Sequence, residues 1–124
     1  MTDGTRGGGA TGVKAVGSLL TTLGIPCRPV DGDCLVWTPR VVTVLQAAGY
    51  TAEPTTVVGW VVRGSRTIAF VHQAAEIDAD VVIDVTARQF DAHLPSPWVT
   101  SPARYCAALA RSTRVDEVTI GSWT

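Results

Sequence analysis

The sequence predicts an α+β protein in which helices pack on a small antiparallel β-sheet. Helical periodicity dominates the first half of the 124-residue chain, and β-branched runs separated by turns dominate the second half. Helical segments followed by a group of strands are the order expected for this fold class. With 46% hydrophobic and 17% charged residues, the chain is apolar enough to bury one core. We therefore predict a single domain over residues 13–124.

Residues 1–12 are predicted to form a flexible tail, because the segment is rich in glycine and offers few side chains for burial. Within and just after this segment, Gly7–Lys14 looks like a phosphate-binding loop. That motif requires a lysine directly after its last glycine, where this chain has Val13, and no strand precedes the segment. Nucleotide binding is therefore not predicted.

Two amphipathic helices are predicted in the first half of the chain. Apolar residues recur at spacings of three and four over Val13–Leu23, and again over Cys34–Ala48. Pro39 complicates the second helix, because a proline beyond the first turn removes a backbone donor and clashes with the preceding turn. Either the helix starts at Cys34 and is distorted, or Thr38 caps a helix that begins at Pro39. We favour the distorted helix.

The second half of the chain predicts a three-stranded antiparallel meander followed by a helix and a last strand. The β-branched runs of the meander are Thr55–Arg63, Arg66–Ile77 and Val81–Val85. A proline-containing loop that includes residues 92–100 comes next. A helix over Pro102–Ala110 and a strand over Val115–Ile120 complete the prediction.

Charge and cysteine content argue against several classes of partner. Ten basic and eleven acidic residues leave a net charge of -1, so no global field attracts nucleic acid or an anionic membrane. The three cysteines, an odd number, do not form the pattern of a disulfide-stapled secreted domain. No apolar run reaches the roughly 18 residues that a membrane span requires. We predict a cytoplasmic protein with no cofactor and no nucleic-acid or membrane partner.

Three reactive side chains occur in an order that suits nucleophilic catalysis. Cys34 lies in Gly-Asp-Cys at the start of the second helix, His72 lies in the second strand, and Asp84 lies in the third. A thiol nucleophile requires a base, and the base requires an acidic group that orients it. Taken singly, each residue has a structural explanation, as a buried cysteine, a structural histidine or a strand-ending aspartate. All three explanations would be needed together, which favours the catalytic interpretation.

The predicted positions of these residues support the same chemistry. A cysteine at a helix start faces unpaired N–H groups and the positive end of the helix dipole, which favour the thiolate and can hold an oxyanion. The carboxylate of Asp33 would raise the pKa of the neighbouring thiol, unless it is turned away as a helix cap. Asp84 follows His72 by 84 − 72 = 12 residues, a spacing that lets two hairpin-linked strands bring them together.

Three segments resemble the core of transglutaminase-like and papain-like cysteine proteins. They are Gly32-Asp33-Cys34 before a helix, His72-Gln73-Ala74-Ala75-Glu76-Ile77 in one strand, and Val82-Ile83-Asp84-Val85-Thr86 followed by Gln89-Phe90. That superfamily carries a cysteine at a helix start, a histidine on the next strand and an aspartate on the strand after it. The resemblance covers roughly residues 31–90, about half of the chain.

This resemblance implies a papain-like or transglutaminase-like core with Cys34 as the nucleophile, His72 as general base and acid, and Asp84 as the orienting group. The chain departs from the pattern at two residues. Many relatives have a bulky aromatic two residues after the histidine, where this chain has Ala74, and a proline after the aspartate, where it has Val85. Papain-like members also place a glutamine shortly before the cysteine, and this chain has none there. These departures affect the predicted reaction more than the predicted fold.

The predicted function is a cysteine-dependent hydrolase or acyltransferase that acts on an amide or ester carbonyl through a thioester. A protease, a deamidase and a transglutaminase-like enzyme all fit, and the substrate is a peptide, a protein or a small acyl conjugate. We assign the oxyanion-binding and substrate-binding surroundings to Asp33, Trp37, Gln73 and Trp98. His93 is the reserve candidate for the base.

Two alternatives use the same residues differently. A catalytically inactive member of the fold would serve as a protein-binding or accessory module, with Trp98 and Trp123 in the contact. A zinc site would combine the three cysteines with His72. The separation of Cys27 and Cys34, 34 − 27 = 7, is wider than the usual spacing of paired zinc ligands, so we predict no metal.

Overall fold

The chain folds into three helices and five strands over residues 9–121, the part that the computed structural model describes; for residues 9–11 only the backbone is described. The elements in chain order are α1 (Gly9–Leu20), α2 (Asp33–Ala47), β1 (Ala52–Arg63), β2 (Ser65–Ile77), β3 (Val81–Asp84), β4 (Trp98–Thr100), α3 (Pro102–Thr113) and β5 (Glu117–Gly121). All strand pairings are antiparallel, in the order β4-β3-β2-β1-β5. The predicted α+β fold class is therefore confirmed.

The two N-terminal helices differ in detail from the prediction. Helix α1 starts at Gly9 instead of Val13, so residues 9–12 of the predicted tail are helical, while residues 1–8 lie outside the described part of the chain. Helix α2 continues through Pro39, as the favoured alternative predicts. Its Val41 and Leu45 are almost fully buried against the sheet, and this packing outweighs the backbone hydrogen bond that the proline removes.

Strand β4 corrects the prediction that residues 92–100 form a loop. Trp98–Thr100 pairs with β3 and forms one edge of the sheet. Three residues are too few to show a two-residue periodicity, and the prolines before them favour a loop. The strand is therefore a product of pairing with β3 and not of a local sequence preference.

Both faces of the sheet are covered by helices. Helices α1 and α2 pack on one face, in a cluster that includes Val16, Leu20, Val41, Leu45, Ala75, Ile77 and Ile83. Helix α3 packs on the other face, in a cluster that includes Val57, Ala74, Val82, Trp98, Tyr105 and Leu109. Side chains alternate between faces along a strand, so His72 lies on the same face as Ala74, and Asp84 on the same face as Val82. Both therefore lie on the α3 face.

Strand β2 extends well beyond its neighbour β3. It pairs with β1 along its whole length, from Ser65 to Ile77, whereas β3 pairs only with Ala75–Ile77. The edge of β2 that faces β3 is thus open from Gln73 toward the hairpin at Gly64. Within the described residues no helix is both long and apolar enough to cross a membrane.

Candidate active site

A buried hydrogen-bond network joins β2, β3 and α3. The Nε2 atom of His72 lies 2.8 Å from Oδ2 of Asp84, and the Tyr105 hydroxyl donates to the same oxygen at 2.6 Å. The other oxygen of Asp84, Oδ1, accepts the backbone N–H of Thr86 at 3.0 Å. Asp84 is 1% exposed, so a carboxylate that would be costly to bury alone is stabilised by three donors.

Cys34 reaches this network at the open edge of β2. The backbone N–H of Gln73 interacts with the Cys34 sulfur, and the Gln73 carbonyl accepts a hydrogen bond from the Thr38 hydroxyl at 3.4 Å. Cys34 and Thr38 lie one turn apart on α2, so a single helix face supplies both contacts. In an antiparallel sheet, Gln73 would offer these two groups to the next strand. Helix α2 takes the place of that strand.

The His72 ring lies between the thiol and the carboxylate. With Nε2 bonded to Asp84, the Nδ1 atom is the nitrogen left to interact with Cys34. Nδ1 is buried and makes no hydrogen bond of standard geometry within residues 9–121. The thiol is nevertheless close enough for each group to change the pKa of the other. The sequence-predicted trio is therefore brought together, with a loose contact between sulfur and ring.

Electrostatics in the site favour a charged pair. Burial lowers the pKa of His72, but the charge and hydrogen bond of Asp84, followed by the interaction with Cys34, raise it to about 9. Burial raises the pKa of the Cys34 thiol, but the interactions with the His72 ring and with the Gln73 backbone N–H bring it below its ordinary value. His72 is therefore an imidazolium at neutral pH, and its charge favours the thiolate of Cys34.

The site is closed to solvent. Cys34 is 6% exposed, His72 is 2% exposed, and an edge-to-face contact with Phe90 covers the imidazole at a ring separation of 5.0 Å. Phe90 also packs against Phe70, 4.8 Å away. Phe70 in turn lies over Gly59, where a Cβ atom would approach its ring to 2.1 Å. The glycine is required here because a side chain would displace the aromatic pair that covers the histidine.

The four residues assigned to the surroundings have different positions. The backbone of Gln73 lies in the site, as described above. The Asp33 carboxylate accepts the N–H of Val30 at 2.8 Å and closes the preceding loop instead of capping α2. Trp37 packs against the α1 and α2 cluster, with the Arg40 guanidinium 4.7 Å from its ring centroid. Trp98 is 7% exposed, so it supports the site from the core and does not line a surface pocket.

The remaining candidates lie away from the network. The His93 ring is exposed and pairs with Asp91, with Nδ1 3.3 Å from Oδ1. Cys27 is exposed and Cys106 is half-buried, and both are free thiols. Within the described residues, no three histidine, cysteine or acidic side chains are arranged to hold a metal ion. The hypothesis of a zinc site receives no support from this arrangement.

Sequence reasoning missed the contributions of Tyr105, Thr38 and Phe90. The predicted helix over residues 102–110 includes Tyr105, but the hydrogen bond from its hydroxyl to Asp84 was not predicted. One signal was available: a buried tyrosine hydroxyl needs a partner, and so does a carboxylate among apolar neighbours. The contacts of Thr38 and Phe90 depend on where β3 ends, which the sequence pattern does not specify to the residue.

Comparison with known proteins gives one informative result. The sequence matches no protein-family model and no curated protein. Its fold is similar to a solved structure described as revealing a thiol-protease-like catalytic triad in the C-terminal region of Pasteurella multocida toxin, with a TM-score of 0.66 over 90% of this chain. Sequence identity is 14%, and the match spans 16% of the length of that chain. The similarity shows that this chain shares its α+β fold with part of that structure.

Proposed function

We propose that the protein is a cysteine-dependent hydrolase or acyltransferase that acts on an amide or ester carbonyl through a thioester on Cys34. One observation carries the proposal: His72 is held at 2.8 Å by the Asp84 carboxylate through Nε2, which leaves Nδ1 for the thiol. This arrangement supports a thiolate nucleophile, an imidazolium proton donor and an orienting acid. The fold similarity to a structure described as having a thiol-protease-like catalytic triad supports the same class of chemistry by analogy.

The proposed reaction uses the proton that His72 carries. The Cys34 thiolate attacks the carbonyl carbon, forms a carbon–sulfur bond and gives a tetrahedral oxyanion. The carbon–nitrogen or carbon–oxygen bond then breaks, and the leaving group takes the proton from Nδ1 of His72. A water molecule or an amine loses a proton to the now neutral imidazole and attacks the thioester. The acyl product departs, and the thiolate–imidazolium pair is restored.

The backbone of Cys34 is the proposed donor to the oxyanion. In the first turn of α2, the N–H groups of Asp33 and Leu35 already bond to the carbonyls of Val30 and Gly32, at 3.0 and 3.1 Å. The Cys34 N–H has no partner within residues 9–121. Because it belongs to the nucleophile itself, it lies close to the carbon that the sulfur attacks.

The inactive binding module remains the second candidate, and one observation favours it. At 6% exposure, Cys34 cannot receive a carbonyl group unless the surrounding chain opens. A thiol that stays closed would be structural. The tryptophans assigned to the contact surface of such a module do not support it, because Trp98 is buried and Trp123 lies outside the described residues.

Alkylation of individual cysteines separates the two candidates. Iodoacetamide reacts with thiolates, and peptide mass spectrometry gives the rates at Cys27, Cys34 and Cys106 in one sample. Near pH 6 we expect Cys34 to react faster than Cys106, although Cys34 is more buried, because burial raises the pKa of Cys106. His72→Gln should raise the pKa of Cys34, and each unit of that rise should slow the alkylation of Cys34 about tenfold near pH 6.

Controls for this experiment exist within the chain. His93→Gln removes the only other histidine and should leave the Cys34 rate unchanged. The rate at the exposed Cys27 should be the same in every variant. p-Nitrophenyl acetate should then acetylate Cys34 in the wild type, with the acetyl group seen by mass spectrometry. A Cys34 that reacts no faster in the wild type than in His72→Gln, and takes up no acetyl group, would refute the enzyme and leave the binding module.

A further inference from the structure

The outer half of β2 has an unpaired edge that leads directly to Cys34. β1 pairs with all of β2, but β3 stops opposite Ala75. Within residues 9–121, no backbone or side-chain hydrogen bond reaches this edge from Arg66 to Val71. Long open edges are uncommon in natural sheets, because their free donors and acceptors pair with other chains.

The direction of the free backbone groups follows from Gln73. Its N–H and C=O point away from β1 toward Cys34 and Thr38. Backbone direction alternates along an antiparallel strand, so the N–H and C=O of Val71 point out from the same edge. The N–H and C=O groups of His72 point the other way, toward Val57 on β1. Val71 is therefore the first residue beyond the site that can hydrogen-bond to an added strand.

The side chains along this edge are unusually apolar for an exposed strand. Val71 is 62% exposed and Ile68 is 54% exposed. Leu35, which follows Cys34 on α2, is 61% exposed. Natural proteins protect open edges with charges, prolines or covering loops, and Ile68 and Val71 provide none of these. Exposed apolar side chains on an open strand edge are typical of a surface that binds another polypeptide.

We infer that the substrate is an extended polypeptide segment that adds to β2 as a strand, pairs with Val71 and presents a carbonyl group to Cys34. The inference rests on the proposed function and specifies its substrate class. A polypeptide backbone is the ligand whose donors and acceptors match those of a strand edge. Strand residues advance about 3.3 Å each, so a residue paired at Val71 is about two residues from the group that meets Cys34 beside Gln73.

A proline substitution tests this mode of binding. The Val71 N–H faces away from β1, so Val71→Pro removes the outward donor and leaves the pairing with β1 in place. Val71→Thr is the matched control, because it keeps the N–H and the branched shape. The probe is fluorescently labelled casein, an unfolded polypeptide, and its binding is measured by fluorescence anisotropy in a Cys34→Ser background where turnover is impossible. We expect Val71→Pro to weaken binding at least tenfold and Val71→Thr to weaken it less than threefold.

A second measurement needs no variant. Hydrogen exchange of the Val71 amide should be fast in the free protein and become protected when casein binds, whereas the His72 amide should stay protected throughout. Casein that binds without protecting the Val71 amide, or that binds equally well after Val71→Pro, would overturn the inference. A concentration-dependent dimer in which a second copy of the chain occupies this edge would also overturn it. Alkylation of Cys34 reports separately on the proposed function. A reactive Cys34 in a protein that binds no casein would reject the polypeptide substrate alone.

Discussion

The protonation state of His72 predicts a loss of stability at alkaline pH. Its pKa is about 9 in the folded protein, against 6.5 as the ordinary value, a difference of 9 − 6.5 = 2.5. Each pKa unit corresponds to about 1.4 kcal/mol, so the bound proton stabilises the fold by about 3 kcal/mol. The pKa is raised on folding, so this contribution is complete below about pH 6.5, declines as the pH rises, and is lost above about pH 9.

Urea unfolding at a series of pH values measures this effect. The four tryptophans provide the fluorescence signal, and the free energy of unfolding is compared between the wild type and His72→Gln. Glutamine does not titrate, so the difference between the two proteins reports the histidine together with its effect on the Cys34 thiol. We expect the wild type to lose about 3 kcal/mol more than the variant between pH 6 and pH 10. His93→Gln is the control and should follow the wild type.

Nuclear magnetic resonance of the histidine ring gives the pKa directly. The chain has two histidines, and the His93→Gln variant assigns their signals. The interaction with Cys34 contributes to the raised pKa of His72, so Cys34→Ala should lower that pKa from about 9. A ring that titrates at or below 6.5 in the wild type, or equal alkaline losses in the wild type and His72→Gln, would refute the charged-pair reasoning. The ring titration decides the question even if His72→Gln does not fold.

Two further predictions follow from the contacts around the histidine. Tyr105→Phe removes a donor from the buried Asp84 carboxylate and should lower the free energy of unfolding by about 1.5–3 kcal/mol. In an Asp84→Asn background, Tyr105→Phe should lower the free energy of unfolding by less. An equal loss in both backgrounds would show that the Tyr105–Asp84 hydrogen bond does not stabilise the fold. Gly59→Ala places a methyl group against the Phe70 ring and should cost about 1–3 kcal/mol. Phe70→Ala should relieve that clash in the double variant, and an additive double variant would show that the clash is unimportant.

The order and type of most elements were predictable from local patterns. Helix α2 has helical periodicity and strands β1 to β3 are β-branched runs between turns, and their observed ends fall within a few residues of the predicted ones. Strand β4 was not predictable, because three residues acquire strand geometry only through pairing with β3. The start of α1 was missed because glycine weakens the helical signal over residues 9–12.

The sequence predicted that Cys34, His72 and Asp84 lie close together, but it did not predict how they meet. The spacing of His72 and Asp84 on neighbouring strands predicted their contact. It did not specify on which face of the sheet, relative to His72, the helix bearing Cys34 would lie. The structure places α2 on the opposite face, with α3 beside the histidine. Cys34 reaches the ring past the edge of β2, and such an edge contact depends on strand lengths that no local pattern encodes. Tyr105 was missed for the same reason, since its role depends on where α3 crosses β3.

Asp84 explains why that edge is open. Continuing the register of Ala75 with Ile83 would pair Gln73 with Val85 and occupy the backbone groups that now face α2. The Oδ1 atom of Asp84 instead binds the Thr86 N–H at 3.0 Å, which turns the chain out of the strand at this point. Its Oδ2 atom binds the histidine. The Asp84 carboxylate therefore has two roles: it ends β3, which lets the thiol approach the ring, and it orients that ring. Replacing Asp84 should disturb the position of Cys34 as well as the charge of His72.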